Sequence, residues 1–184
     1  MFIRSVIAGW MLGMTALSPA VAQVADTDAI VHGLDITFNV PSHWYLYVRG
    51  GSLLLTKDGE LLQAVTLSKM KYGKTLSGID RPLDKAALES EIGDLYIKSI
   101  EAEQGISDLE KLSYTPLTLN DLNGIELKYR YRMNEDAWMQ GDLIVLKGSE
   151  YLYQISFRGT ERVYFDRGVE GFDMLLTSLK ILRP

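Results

Sequence analysis

The amino-acid sequence predicts an α+β fold in which strands, a helix, further strands and a second helix follow one another. The first observation is "LDITFNV", where apolar and polar residues alternate with the period of two that is typical of a half-buried strand. The second is a series of four strand-like segments within residues 112–159, joined by turns so short that neighbours should pair antiparallel. The third is a pair of stretches, residues 85–104 and 162–179, with apolar residues at helical spacing. Together they predict a mostly antiparallel sheet of about six or seven strands and two main helices.

The stretch "ITFNVPSHWYLY", residues 36–47, predicts a strand followed by a corner. Pro41 has no backbone N–H to donate, so we expect it to end the strand. Trp44 is then expected to anchor the next segment against the core, which makes Pro41 and Trp44 structural residues. His43 is expected to lie at the surface. The alternative hypothesis is that His43 and Trp44 belong to a binding site, because both residue types are common where ligands are held.

The next segments predict a hairpin and then the first helix. "SLLLT" and "LLQAVTLSKM" are separated by Asp58-Gly59, a dipeptide that tolerates the positive φ of a tight turn. The helix is expected to begin after Asp84, a good N-cap residue, and to end at Gly105. Gly93 weakens its middle by about 1 kcal/mol, which we interpret as a sign of close packing on the sheet.

Short turns and the second helix complete the chain. Turns are predicted at Asn123-Gly124, in "NED" (residues 134–136) and at Gly148-Ser149. Thr160 is the expected N-cap of the last helix, whose apolar stripe should pack on the sheet. The final "LKIL" is expected to return as a short strand.

The first residues have the features of a secretory signal peptide. A positive start precedes the apolar run "SVIAGWMLGMTAL", and Ala20 and Ala22 provide A-x-A spacing before Gln23. A membrane anchor is the alternative, but residues 6–17 are fewer than the roughly 20 apolar residues that a spanning helix needs. We therefore expect residues 1–22 to be removed and the mature protein to be free in the periplasm.

Length and charge narrow the class of protein. Removal of the signal peptide leaves 162 of the 184 residues, enough for one domain, predicted as residues 34–184 after a flexible segment at 23–33. Because Arg4 leaves with the signal peptide, the net charge changes from −5 to −6. An acidic exported chain is a poor nucleic-acid binder, since phosphate binding needs a positive surface. The chain contains no cysteine, which excludes thiolate catalysis and thiolate metal sites.

The order of these motifs resembles the PsbP/DcrB superfamily. The resemblance rests on "FNVPSHW", the Asp-Gly hairpin, a helix, an antiparallel meander and the closing stretch that begins "YFDRGVEGF", and it spans about residues 34–182. It implies an α/β/α sandwich around a mostly antiparallel sheet, in proteins that are largely exported, non-catalytic and involved in binding or assembly. PsbP itself serves photosystem II, but nothing in this sequence indicates a photosynthetic partner.

A basic strand is the most suggestive candidate binding feature. Alternation in "LKYRYRM" places Lys128, Arg130 and Arg132 on one face of the predicted strand and apolar or aromatic residues on the other. One interpretation is an amphipathic strand with a solvated basic face. The other is a basic stripe that binds a carboxylate, a phosphate-bearing head group or an acidic partner surface. Trp138, at the start of the next strand, fits either a binding interface or a lid on the core.

Catalytic and metal sites receive little support from the sequence. His32 and His43 are separated by a predicted strand, so surface or capping roles are favoured over a shared metal. Asp166, Glu170 and Asp173 lie on one face of the last helix and are expected to be solvated, although a glycosidase-type pair needs one buried carboxylate. We therefore predict no catalytic residue, no metal and no cofactor.

The expected function is that of an exported, non-catalytic binding or assembly protein of the cell envelope. Its partner should be another envelope protein or complex. The alternatives are a carrier of a small ligand or lipid head group, which would need a preformed pocket, and a hydrolase that uses carboxylates. The sequence leaves the oligomeric state and the identity of the partner open.

Overall fold

A computed structural model of the protein describes residues 23–24, 30–134 and 137–182, with side chains from residue 34 on. The predicted signal peptide, residues 1–22, lies outside these residues. The strands are β1 (Gln23–Val24), β2 (Ile30–Gly33), β3 (Ile36–Asn39), β4 (Tyr45–Arg49), β5 (Ser52–Thr56), β6 (Gln63–Lys71), β7 (Ile106–Leu119), β8 (Leu122–Met133), β9 (Ala137–Lys147), β10 (Tyr151–Thr160) and β11 (Lys180–Ile181). The helices are α1 (Glu89–Glu101), between β6 and β7, and α2 (Tyr164–Ser178), between β10 and β11.

The strands form two antiparallel sheets. The main sheet has eight strands in the order β1-β4-β5-β6-β10-β9-β8-β7, and the small sheet has the order β11-β3-β2. The predicted meander is confirmed as β7 to β10, and the final "LKIL" does return as a strand, which pairs with β3. The main sheet exceeds the expected six or seven strands because β1, two residues long, adds to its edge.

The main sheet buries a separate core on each face. On the first face, helix α2 packs on β10, β6 and β3, and the core includes Phe38, Leu55, Phe157 and Phe172. On the second face, helix α1 packs on β7 and β8, and the core includes Ile92, Leu127, Tyr131 and Leu143. The alternation of side chains along each strand supplies both cores at once. The predicted α/β/α sandwich is therefore confirmed.

The corner after β3 places Trp44 inside the protein. The Trp44 N–H donates to the carbonyl of the buried Pro41 at 3.1 Å, which closes a tight turn, and the Trp44 side chain is 3% exposed. Its indole ring packs against Gly171 of α2, where a Cβ would lie 2.9 Å from the ring. His43 is exposed and adopts a φ of 67°. The indole thus joins the corner to helix α2.

The start of α1 differs from the prediction. The helix begins at Glu89 rather than near Lys85. Asp84 instead caps a separate turn, in which its Oδ1 accepts from the Ala86 N–H at 2.9 Å. Leu88 stays extended and 63% exposed, because its N–H donates to the Glu91 carboxylate at 3.0 Å. The interpretation of Gly93 as a close-packing position holds, since a Cβ there would lie 2.2 Å from the Tyr114 hydroxyl of β7.

One predicted turn, Asn123-Gly124, and one predicted N-cap, Thr160, lie inside strands instead. Asn123-Gly124 belongs to β8, and the β7–β8 turn is formed by Asn120 and Asp121 with φ values of 53° and 62°. Asn and Asp tolerate this left-handed conformation, so they serve the two-residue turn as well as a glycine does. Thr160 ends β10, because its N–H donates to the Leu62 carbonyl at 2.9 Å, and the N-cap of α2 is Val163. Gly148-Ser149 does form the β9–β10 turn.

The segment predicted to be flexible, residues 23–33, contains two paired strands. β1 pairs with β4, and β2 pairs with β3 through a turn at Leu34 and Asp35. Among the residues that the structure describes, no helix combines the length and apolar character required to cross a membrane.

Candidate functional site

The predicted stripe and Trp138 lie together on a part of the first face that helix α2 leaves open. Helix α2 packs on β10 and β6, whereas Lys128, Arg130 and Arg132 project from β8, two strands further along the sheet. Tyr129 and the other alternate residues point into the core under α1, as the alternation predicted. Trp138 of β9 is the direct partner of Arg132 across the hairpin. We call Lys128, Arg130, Arg132 and Trp138 the Trp138 surface.

Two arginines hold the indole ring in place. The guanidinium carbon of Arg130 lies 4.7 Å from the centre of the Trp138 ring, and that of Arg132 lies 5.3 Å from it. Cation–π contacts at exposed sites contribute about 0.5–1 kcal/mol each. The ring is half-buried, so it presents a fixed aromatic group with two guanidinium groups over it.

The arginines are also paired with carboxylates from neighbouring elements. Arg130 contacts Glu110 of β7 at 2.8 Å and Glu161, which follows β10, at 3.6 Å. Arg132 contacts Asp108 at 3.6 Å. Both arginines are therefore ion-paired, and the field of the stripe is weaker than three unpaired cations would produce. The sequence pattern did not reveal these partners because they come from other strands.

Lys128 links two further carboxylates, one of them buried. Its Nζ lies 3.5 Å from Glu126 and 3.6 Å from Asp142. Asp142 is 6% exposed, and its Oδ1 has no hydrogen-bond partner. Burial, aided by the nearby Glu126 carboxylate and opposed by Lys128, raises the pKa of Asp142 to about 6. Sequence reasoning missed Asp142, although its position at the start of the apolar run "DLIVL" was a usable signal.

The other sequence candidates do not converge on this surface. His43 is exposed, and only the backbone of His32 is described. Among the described residues no group of three or more His, Cys, Asp or Glu side chains has a geometry that could hold a metal ion. The three acids of α2, Asp166, Glu170 and Asp173, are exposed as expected. The turn residues at 135–136 lie outside the described part of the chain.

The fold and the site together define an α/β/α sandwich on an antiparallel sheet, with one open face centred on a tryptophan. Comparison with solved structures shows that this is the PsbP-like fold. The solution structure of cyanobacterial PsbP (CyanoP) from Synechocystis sp. PCC 6803 is similar with a TM-score of 0.55 at 14% identity, over 94% of this chain and 98% of CyanoP. The Saccharomyces cerevisiae Ran-binding protein Mog1p is similar with a TM-score of 0.56 at 10% identity, over 85% of this chain and 97% of Mog1p.

A protein from Bacteroides thetaiotaomicron shares the fold as one part of a longer chain. Its TM-score is 0.53 at 14% identity, and the match covers 84% of this chain. The match spans 48%, about half, of the Bacteroides protein. No protein-family model matches this sequence, and no curated protein matches it either.

Proposed function

We propose that the protein is an exported, non-catalytic binding or assembly protein of the cell envelope, and that the Trp138 surface contacts another envelope protein. The observation that carries the proposal is the indole of Trp138 held between Arg130 and Arg132 on an open part of the sheet. Tryptophan and arginine are the residue types that contribute most often to binding energy at protein interfaces.

The preset conformation of the ring favours binding. A side chain that is already stacked loses little conformational freedom when a partner covers it, so less binding energy is spent on ordering it. Trp138 offers apolar area at the centre, and Arg130 and Arg132 border it. A central apolar contact with a polar rim is the usual arrangement of a protein–protein interface.

The charge balance of the surface favours a folded protein as the partner. Exposed ion pairs contribute only about 0–1 kcal/mol each, so Glu110 and Asp108 can exchange their arginine partners for groups of another protein at small cost. A lipid head group or another strongly anionic ligand is less suited, because five carboxylates surround the three cations, as the ion pairs of the stripe show.

The name of one fold neighbour agrees with a binding role. One neighbour is a PsbP and another is a Ran-binding protein. At 14% and 10% identity the likeness concerns the fold, so their partners are not transferred to this chain. A carboxylate-based hydrolase is less favoured, because Lys128 lies between Glu126 and Asp142 and offsets their charge.

The proposed location rests on the signal peptide that the sequence predicts. We expect osmotic shock to release the protein with the periplasmic fraction, and mass spectrometry to find Gln23 at the mature amino terminus. Retention of residues 1–22 on a membrane-bound form would instead support the anchor hypothesis.

In-cell crosslinking followed by identification of the captured proteins tests the proposed function. The informative variant is Arg130→Gln with Arg132→Gln, and the matched control is Arg81→Gln with Arg167→Gln, which neutralises two exposed arginines outside the Trp138 surface. The proposal predicts one envelope partner that the parent and the control capture and the informative variant loses. If the informative variant folds and retains every partner of the parent, the Trp138 surface is not the binding site.

A further inference from the structure

The second face of the main sheet contains a cleft beside helix α1. Because α1 packs on β7 and β8, strands β10 and β6, which lie beyond β9 in the sheet, are left partly uncovered. The cleft has a volume of about 320 Å³, at the lower end of the ~300–1,000 Å³ of small-molecule sites. It lies on the opposite face from the Trp138 surface, so the inference below does not rest on the proposed function.

The floor of the cleft is a row of polar side chains. Gln154, Ser156 and Arg158 follow one another on β10, with about 7 Å between successive positions on one face of a strand. Thr66 of β6 pairs directly with Ser156, and Ser68 donates to the Gln154 side chain at 3.4 Å. The floor therefore offers hydroxyl and amide groups along its length and a guanidinium at one end.

The wall of the cleft is largely apolar. Helix α1 contributes Ile100, the loop before it contributes Leu76, and the sheet contributes Met70 of β6 and Leu143 of β9. The Ser99 hydroxyl donates to the carbonyl of Ser77 at 2.8 Å, which ties the preceding loop to the helix and fixes the width of the cleft. An elongated ligand would thus meet polar groups below it and apolar groups beside it.

Arg158 is oriented but only loosely paired. Burial raises the pKa of the Tyr131 hydroxyl, and the positive charge of Arg158 opposes this rise, because the guanidinium lies near the phenol. The acidic partner of Arg158 is Glu103, which follows α1, at 4.0 Å, and their side chains are 37% and 46% exposed. Arg130, by comparison, contacts Glu110 at 2.8 Å. A ligand carboxylate can therefore displace Glu103, which is free to turn toward solvent.

We propose that this cleft binds a small organic carboxylate. The carboxylate pairs with Arg158 and accepts hydrogen bonds from Ser156 and Thr66, and the apolar body lies along Ile100 and Leu143. Arginine and hydroxyl donors are well suited to a carboxylate, because charge-assisted hydrogen bonds are about twice as strong as neutral ones.

Ligand titration followed by NMR of the mature protein tests the proposal with hexanoate, hexanamide and acetate as probes. We expect hexanoate to cause saturable shifts at residues of the cleft. Hexanamide, which lacks the charge, should bind about tenfold or more weakly. Acetate, which lacks four methylenes, should also bind at least about tenfold more weakly, because each buried methylene contributes to affinity.

Variants locate the site. Arg158→Gln should weaken hexanoate binding about tenfold or more, whereas Arg167→Gln, an exposed arginine on α2, should leave it unchanged. Glu103→Gln removes the competing carboxylate and should tighten binding severalfold. If Arg158→Gln does not fold, the Glu103→Gln result decides, because a merely structural pair would not give tighter binding. The proposal would be overturned if hexanoate does not saturate, or if hexanamide binds as tightly as hexanoate. It would also be overturned if Glu103→Gln binds hexanoate no more tightly than the parent does.

Discussion

Replacement of Trp44 by alanine tests how the corner after β3 is held. A buried tryptophan removes about 150–250 Å² from water, which at about 25 cal/mol per Å² amounts to ~4–6 kcal/mol. Residual structure in the unfolded chain lowers this figure, and measured Trp→Ala changes in cores are about 3–5 kcal/mol. Since Trp44 is 3% exposed, we expect Trp44→Ala to lower the free energy of unfolding by about 4 kcal/mol.

Urea denaturation followed by far-ultraviolet circular dichroism measures this change. With a typical slope of about 2 kcal/mol per M, the loss corresponds to a decrease of ~2 M in the midpoint. His43→Ala is the matched control at the neighbouring position. Because His43 is exposed but its φ of 67° lies in a region that histidine adopts more often than most residues, we expect a change below about 1 kcal/mol.

Gly171 supplies an internal check on the packing argument. In the parent, Gly171→Ala places a Cβ 2.9 Å from the indole of Trp44, and overpacking costs about 1–3 kcal/mol. In the Trp44→Ala background that contact is gone, so the helix propensity of alanine should stabilise the protein by up to about 1 kcal/mol. Two results would refute the assignment of Trp44 as an anchor. One is a loss of less than about 1 kcal/mol in the free energy of unfolding of Trp44→Ala, and the other is an identical effect of Gly171→Ala in both backgrounds.

Three other measurements examine separate parts of the structure. Because the pKa of Asp142 is raised to about 6, above its unfolded value of about 3.9, the stability that Asp142 contributes is present below pH ~4 and lost as the pH rises to ~6. Urea titrations measure the change in the free energy of unfolding that Asp142→Asn causes relative to the parent. We expect this change to be more stabilising at pH ~7.5 than at pH ~4 by about 2 kcal/mol, and the same change at both pH values would contradict this. Gly93→Ala should destabilise the protein by about 1–3 kcal/mol, because its Cβ would meet the Tyr114 ring; a stabilised variant in thermal melts would disprove that contact. Trp138→Ala should cost less stability than Trp44→Ala, since Trp138 is half-buried, and an equal cost in the same melts would favour a core-lid role.

The fold class was predictable because the sheet has a strong periodic signal. The alternation of "LKYRYRM" appears directly in the burial of β8, whereas in β3 Ile36, Thr37 and Phe38 are all buried. The ends of the elements were less predictable, because tertiary contacts decide them. Asp84 has the chemistry of an N-cap, yet the hydrogen bond from the Leu88 N–H to Glu91 moves the helix start by one turn.

The candidate site was predictable only in part, for the same reason. Alternation within one strand placed Arg130 and Arg132 on a common face, and proximity in sequence suggested Trp138. Glu110 and Glu161 reach Arg130 through the pairing of β7 with β8 and of β9 with β10. A single sequence does not fix that register. The cleft at Arg158 depends on where α1 packs, which periodicity alone does not determine.

Site-specific photocrosslinking in living cells tests the central claim most directly. A photoreactive phenylalanine analogue would replace Trp138 in one variant and Val48 in another. Val48 is 62% exposed on β4, four strands and about 19 Å from β9 in the sheet order. The account predicts that position 138 crosslinks one envelope protein, that position 48 does not, and that Arg130→Gln with Arg132→Gln abolishes the product. Equal products at both positions, or none at position 138, would contradict it.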